Sequence, residues 1–116
     1  EAVEKVKQAL AEQGFGVLTE IDLRATFKAK LDLDVEPQVI LGACNPQLAR
    51  RALEAEPRIG ALLPCNVVVR VHHGRTIVDA LDPRLIAEVP ESEGLADVAD
   101  EAGSRIQAAL DSLRGA

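Results

Sequence analysis

The sequence feature that most constrains the fold is a pair of short apolar runs joined by a two-residue turn. Residues 66–71 are rich in valine, His73-Gly74 follows, and residues 75–81 resume an apolar pattern. Strands joined by so short a loop run antiparallel, because a parallel crossover needs a dozen or more residues. A purely parallel, doubly wound sheet is therefore excluded.

The rest of the chain alternates helical and strand patterns and ends in a long helical pattern. Apolar residues at three- and four-residue spacing predict helices, and alternating or compact apolar runs predict strands. We predict helices over residues 1–13, 23–31, 46–56 and 93–114, a short helical turn after Asp82-Pro83, strands over residues 15–21 and 38–44, and connections over residues 58–64 and 88–94. We therefore expect an α+β fold, with one mainly antiparallel sheet and helices on one face, in a single domain over residues 1–116.

Two of these predictions depend on side-chain positions within an element. In the first strand, Phe15, Val17 and Thr19 alternate with their neighbours and should share one face. In the second helix, apolar residues recur four apart from Leu23 to Leu31, and Asp22 precedes them as a helix cap.

Four residues of two scarce types occur together in two matching dipeptides. The two cysteines are each followed by an asparagine, in Cys44-Asn45 and Cys65-Asn66. Pro46 follows the first pair, and Pro64 precedes the second. Asn45 and Pro46 form a strong helix start, in which the side chain caps the helix and proline occupies its first position. We take Cys44, Asn45, Pro46, Cys65 and Asn66 as the candidate site.

Two interpretations of the cysteines stay open at this point. A thiolate at Cys44 would be favoured by the positive end of the following helix, which would lower its pKa. If Cys44 and Cys65 meet, they could form a reversible disulfide or hold a soft metal ion. Alternatively, both are buried small apolar side chains, Asn45 caps a helix and Asn66 satisfies a turn.

Composition excludes several classes of function. The net charge is −6 and only two residues are aromatic, so neither phosphate neutralisation nor base stacking is supported. We therefore expect no nucleic-acid partner. No apolar run approaches the roughly 20 residues that span a bilayer, and no signal-peptide pattern opens the sequence. We expect no membrane association and a cytoplasmic location.

Other ligand-type side chains have simpler explanations. Adjacent strand residues point apart, so His72 and His73 suit a turn better than a shared metal ion. The acidic residues between positions 32 and 36 suit a solvated edge better than a cation site. Arg50-Arg51 and Arg58 could hold a small anion, but helical pairing such as Arg50 with Glu54 competes with that role.

Several segments around the two cysteines resemble a known family. These segments are Leu-Gly-Ala-Cys-Asn-Pro at 41–46, Ala-Leu-Glu-Ala-Glu-Pro at 52–57, Ile-Gly at 59–60 and Leu-Leu-Pro-Cys-Asn-Val at 62–67. Phe-Gly-Val at 15–17 and Asp-Pro at 82–83 extend the match over nearly the whole chain. The sequence resembles the bacterial and archaeal domain-of-unknown-function family 302.

This resemblance implies a compact α+β domain related in shape to the TATA-box-binding half-repeat, and it implies a homodimer. A similar shape does not imply that this acidic chain binds DNA. Family members usually have a strand before the first helix, whereas this sequence opens in the helix. A truncated N-terminus, with a sheet one strand short, is therefore an expectation.

The resemblance implies no activity, so function must come from the candidate site. We expect a dimeric small-ligand-binding or sensing module that holds a small anionic or thiol-reactive ligand near the two Cys-Asn dipeptides. The alternative is a thiol-dependent redox enzyme or soft-metal-handling protein that uses Cys44 and Cys65. No cofactor and no resident metal are expected, and the sequence leaves open whether the protein is an enzyme.

Overall fold

Helices and strands alternate along the chain in the computed structural model, which describes residues 1–88 and 94–114. The elements in chain order are α1 (Ala2–Glu12), β1 (Gly16–Asp22), α2 (Leu23–Leu31), β2 (Gln38–Cys44), α3 (Pro46–Ala55), a 3-10 helix (Pro57–Leu62), β3 (Cys65–His72), β4 (Arg75–Ala80), α4 (Pro83–Glu88) and α5 (Leu95–Arg114). Strands β1 to β4 form one sheet in the order β1-β2-β3-β4, and every neighbouring pair is antiparallel. The predicted α+β class and antiparallel sheet are confirmed.

One face of the sheet packs into the core against α1, α3 and α5. The strand register places Leu41 opposite Val67 on this face, and both side chains are buried. The helices contribute buried residues to the same cluster: Val6, Ala9, Leu10, Leu48, Ala52, Leu95, Val98, Ala102, Ile106 and Ala109. Burying a large aliphatic side chain fully contributes roughly 1.5–3 kcal/mol, so this face holds most of the apolar stabilisation.

The opposite face of the sheet carries apolar side chains that remain partly accessible. Ile21, Ile40 and Val68 lie in register across β1, β2 and β3. Ile21 is 46% exposed, and Ile40 and Val68 are half-buried. We call the residues Ile21, Ile40, Val68 and Ile77 the open sheet face, because none of them belongs to the buried core.

Local signals account for the element boundaries. The Ala25 amide donates to Asp22 Oδ1 over 3.0 Å, which confirms the predicted cap of α2. At the hairpin, His73 and Gly74 have φ values of 50° and 76°. Two successive residues with positive φ form the turn that matches the twist of the flanking strands.

The predicted strand alternation in β1 is wrong beyond Val17. The register shifts between Val17 and Thr19, so Val17 pairs with Ala43 while Thr19 pairs with Gly42. This bulge adds one residue to β1 and moves Thr19 to the open side of the sheet. Leu18, at the bulge, is 67% exposed.

One other prediction needs correction, and one lies partly outside the described residues. The connection predicted over residues 58–64 contains a 3-10 helix, whose first amide donates to the Glu56 carboxylate. Helix α2 spans the predicted residues, with Leu23 and Phe27 half-buried and Leu31 exposed, and its close contacts are with β2. Of the connection predicted over residues 88–94, positions 89–93 lie outside the described residues.

Among the helices of the described ranges, none combines the length and the apolar character needed to cross a membrane.

Candidate functional site

The two cysteines lie at the same end of the sheet on neighbouring strands. Strand β2 ends at Cys44 and β3 begins at Cys65. Cys65 pairs across the strands with Ala43, so Cys44 is offset by one residue from direct pairing. The antiparallel register therefore joins positions that are far apart in sequence.

Both thiols line a cavity of about 50 Å³ between the sheet end and helices α3 and α5. Besides Cys44, Asn45 and Cys65, its lining is apolar and consists of Phe15, Ala43, Leu48, Ala49, Ala52, Ile59, Leu63, Pro83, Leu95, Val98, Ala99 and Ala102. None of these described lining residues carries a charge. The cavity is partly open to solvent.

Asn45 is the buried polar residue of this site. Its side chain is 5% exposed, and Oδ1 accepts a hydrogen bond from the Leu48 amide over 3.2 Å. Pro46 occupies the first position of α3, so the predicted helix start is confirmed. Pro46 itself does not line the cavity.

Asn66 lies elsewhere. It is exposed, pairs with Gly42 on the open side of the sheet, and its carbonyl accepts from the Leu81 amide over 3.1 Å. The structure thus brings Cys44, Asn45 and Cys65 together at the cavity and leaves Pro46 and Asn66 outside its lining.

The expectation of a lowered Cys44 pKa is wrong in direction. Burial raises the pKa of the Cys44 thiol above its ordinary value of 9.0. Burial also raises the pKa of the Cys65 thiol, and the nearby Cys44 charge raises it further. Burial desolvates both groups and so disfavours their thiolates, and both side chains are therefore thiols at neutral pH. Both cysteines are free.

A cluster of charged residues flanks Asn45 on the outer side of Gly14. Gly14 has a φ of 84°, and a Cβ built there would lie 2.9 Å from Asn45 Nδ2 and 3.2 Å from Arg105 Nη1. Arg105 Nη2 binds Glu101 over 2.7 Å, and Glu101 also accepts from Arg51 Nη1 over 3.0 Å. These two arginines hold the pKa of the Glu101 carboxyl below its usual range.

Reasoning from the sequence missed part of this site. Gly14 looks like an ordinary helix-ending glycine, and Ala99 and Ala102 look like members of a helical stripe. Their small size is the only signal that a cavity adjoins them. Arg105 and Glu101 give no signal that they belong to the site, because a charged pair four residues apart on a helix is ordinary surface pairing.

The remaining candidate groups have structural partners. Arg50 pairs with Glu54 over 3.8 Å as predicted, and Arg58 pairs with Glu56 over 2.9 Å. Asp32 and Asp34 both pair with Lys28. Within residues 1–88 and 94–114, no three histidine, cysteine, aspartate or glutamate side chains are grouped so as to hold a metal ion. The two thiols of the cavity are the soft-metal ligands that the site itself offers.

Comparison with known proteins identifies the family. The family model "Domain of unknown function DUF302" matches residues 1–113. The chain belongs to the DUF302 family. It is also similar to a solved structure, the crystal structure of an uncharacterized conserved DUF302 protein from Bacillus stearothermophilus. The two chains share 33% identity with a TM-score of 0.87, over 94% of this chain and 85% of that one.

A search of curated proteins found no match. The family resemblance seen in the sequence is thus confirmed, and function must be argued from the cavity.

Proposed function

We propose that this DUF302 protein is a small-ligand-binding or sensing module whose ligand enters the cavity beside Cys44, Asn45 and Cys65. The observation that carries the proposal is the cavity itself, which is apolar, partly open to solvent and lined by the buried polar Asn45. A concave apolar site with a few convergent polar groups is the common form of a small-molecule site. At about 50 Å³, it suits a ligand, or one end of a ligand, of only a few heavy atoms.

The lining favours an apolar ligand body. Placing an ionised group among uncharged side chains costs several kcal/mol unless it is paired and hydrogen-bonded. Any charge on the ligand would therefore belong near Asn45 and not among the alanines of α3 and α5. The anionic ligand expected from the sequence is compatible with this site only when its charge is confined to one end.

A thiol-dependent function is the second candidate. It is supported by the position of Cys44 and Cys65 on one cavity and by the electrostatic effect of one on the other. Their raised pKa values disfavour fast nucleophilic chemistry at neutral pH, so ligand binding comes first. Thiol titration of the folded protein and measurement of bound copper or zinc test this candidate. Rapid neutral reaction or a stoichiometric metal would favour it.

We further propose that the module is a homodimer that uses the open sheet face. Ile21, Ile40, Val68 and Ile77 bring apolar side chains to one side of an antiparallel sheet, beside the Arg70–Asp79 ion pair, and accessible apolar patches mark interaction sites. Light scattering should give twice the monomer mass. Ile21→Glu should shift the protein toward monomer, whereas Leu31→Glu on the exposed α2 should not. A monomer at all concentrations would refute this part of the proposal.

Xenon is the sharpest probe of the cavity, because it binds apolar cavities without needing a polar partner. Amide NMR spectra recorded under increasing xenon pressure should show saturable shifts at Ala43, Leu48 and Ala99. Ala52→Leu should abolish these shifts because it fills the cavity. Ala25→Leu, on the exposed side of α2, is the matched control and should leave them unchanged. Shifts that do not saturate, or that persist in Ala52→Leu, would contradict the proposal.

A further inference from the structure

With the residues that the structure describes, Asn45 makes one of the four hydrogen bonds that its side chain can make. The Leu48 amide donates to Oδ1, which fixes the orientation of the side-chain amide. In the flipped orientation two donors would face each other and the helix cap would be lost. The Nδ2 group, with two N–H donors, is therefore the part of Asn45 that points away from the helix end.

Asn45 Nδ2 donates no hydrogen bond to any group of residues 1–88 and 94–114. The hydrogen bond to Leu48 uses only Oδ1, and Arg105 Nη1, the other group over Gly14, is itself a donor. Yet no fully sealed side-chain nitrogen or oxygen lacks a partner in this part of the chain, so Nδ2 keeps some accessible surface. Asn45, which is 5% exposed and lines the cavity, thus holds unused donors on its Gly14 side, next to Arg105 at the edge of the cavity lining.

A second donor and a surplus of positive charge lie beside Nδ2. Arg105 Nη1 makes only a long contact of 3.5 Å with the Gln13 carbonyl. Arg105 and Arg51 share the single carboxylate of Glu101. An oxygen atom brought against Nδ2 would therefore meet favourable electrostatics, which compensates for leaving water.

We infer that Asn45 selects ligands with an apolar body and one carbonyl or carboxylate oxygen, which accepts a hydrogen bond from Asn45 Nδ2 while the body occupies the cavity. This inference rests on the proposed function and names the chemistry that the site recognises. The shared feature is an sp² oxygen, supplied by a neutral carbonyl or by a carboxylate. Asn45 then has two roles, since Oδ1 caps the first turn of α3 and Nδ2 donates a hydrogen bond to the ligand.

The test compares three probes that share one branched hydrocarbon body: isobutane, isobutyramide and isobutyrate. Affinities come from amide NMR titrations of the wild-type protein. At least one oxygen-bearing probe should bind about tenfold more tightly than isobutane, the factor expected for one net hydrogen bond. Tighter binding of isobutyrate that falls in Arg105→Gln would assign the carboxylate, and tighter binding of isobutyramide would assign the neutral carbonyl.

Variants of Asn45 separate recognition from helix capping. Asn45→Ser and Asn45→Asp keep an oxygen that can accept from the Leu48 amide, but both remove the Nδ2 donors. The preference for the oxygen-bearing probe should shrink to within about twofold, with isobutane binding retained and the Leu48 amide still protected from hydrogen exchange. Asn66→Ser is the matched control and should keep the full preference.

The outcomes distinguish this inference from the proposed function. Equal affinities for all three probes in the wild-type protein, or a preference that survives in both Asn45 variants, would overturn the inference while leaving the cavity as a binding site. Failure of xenon and all three probes to bind would overturn both.

Discussion

Cys44-Asn45 and Cys65-Asn66 are the same dipeptide at the same end of the sheet, but their environments differ. In the first pair the asparagine is buried and caps α3, and the cysteine is half-buried at the cavity. In the second pair the cysteine is buried and the asparagine is exposed on the open side of the sheet. The reason is local: Cys44-Asn45 is where a strand becomes a helix, so both side chains lie near the helix end. Cys65-Asn66 opens a strand, whose alternation sends the two side chains to opposite faces.

The largest expected effect comes from Gly14, on which only the first pair depends. Gly14→Ala places a Cβ 2.9 Å from Asn45 Nδ2 in a backbone conformation with a φ of 84°. We expect a loss of about 2–3 kcal/mol in the free energy of unfolding, from left-handed strain and crowding together. Urea denaturation measures it. Gly16→Ala is the matched control, because nothing lies within 4 Å of its Cβ, and it should change stability by less than about 0.5 kcal/mol.

The next largest expected effect is the difference in stability loss when each of the two asparagines is replaced. Asn45→Ala removes the cap of α3 and should lower the free energy of unfolding by about 1–2 kcal/mol. Asn66→Ala changes an exposed side chain and should cost less than about 0.5 kcal/mol. Thermal and urea unfolding of both variants test this contrast. Equal losses would mean that the two dipeptides are structurally equivalent after all.

The two cysteines should differ in reactivity in the folded protein. Both should react slowly with iodoacetamide at neutral pH, because burial raises the pKa of each thiol. Cys44 should react about tenfold faster than Cys65, since it is the more accessible of the two. Mass spectrometry of the labelled peptides gives the two rates, and unfolding the protein in denaturant should make them equal. Faster labelling of Cys65 would contradict the assigned burial.

The smallest expected effect is a loss of stability in alkaline solution. The thiols of the folded protein have pKa values above the ordinary 9.0. At pH values between the unfolded and folded pKa, the folded state therefore keeps thiol protons that the unfolded state releases. Their contribution to stability is therefore complete below pH 9.0 and is lost as pH rises through the folded pKa values.

Cys65→Ala should flatten this dependence more than Cys44→Ala, because Cys65 is the more deeply buried thiol. Urea unfolding of both variants on either side of the ordinary thiol pKa checks the order. A steeper alkaline loss in Cys65→Ala than in the wild type would contradict it.

Much of the fold could be predicted because its signals are local. The cap at Asp22, the Asn45-Pro46 helix start and the turn at His73-Gly74 each depend on a few neighbouring residues, and each is present in the structure. The bulge after Val17 could not be predicted, because it depends on how β1 meets β2. The incomplete burial of the apolar stripe of α2 has the same cause, since helical spacing shows which residues share a face but not what that face meets.

In the candidate site too, some features depend on neighbouring residues in the sequence and others depend on tertiary packing. The sequence by itself determined that two Cys-Asn dipeptides stand at strand ends, that one of them starts a helix, and that the chain belongs among α+β domains. Only the tertiary structure decided that Cys44 and Cys65 share one cavity, that Asn66 faces away from it, and that the thiol pKa values rise. Helix starts are set by hydrogen bonds within a few residues, whereas burial and proximity depend on antiparallel pairing and on α5, which packs against α3 from the far end of the chain.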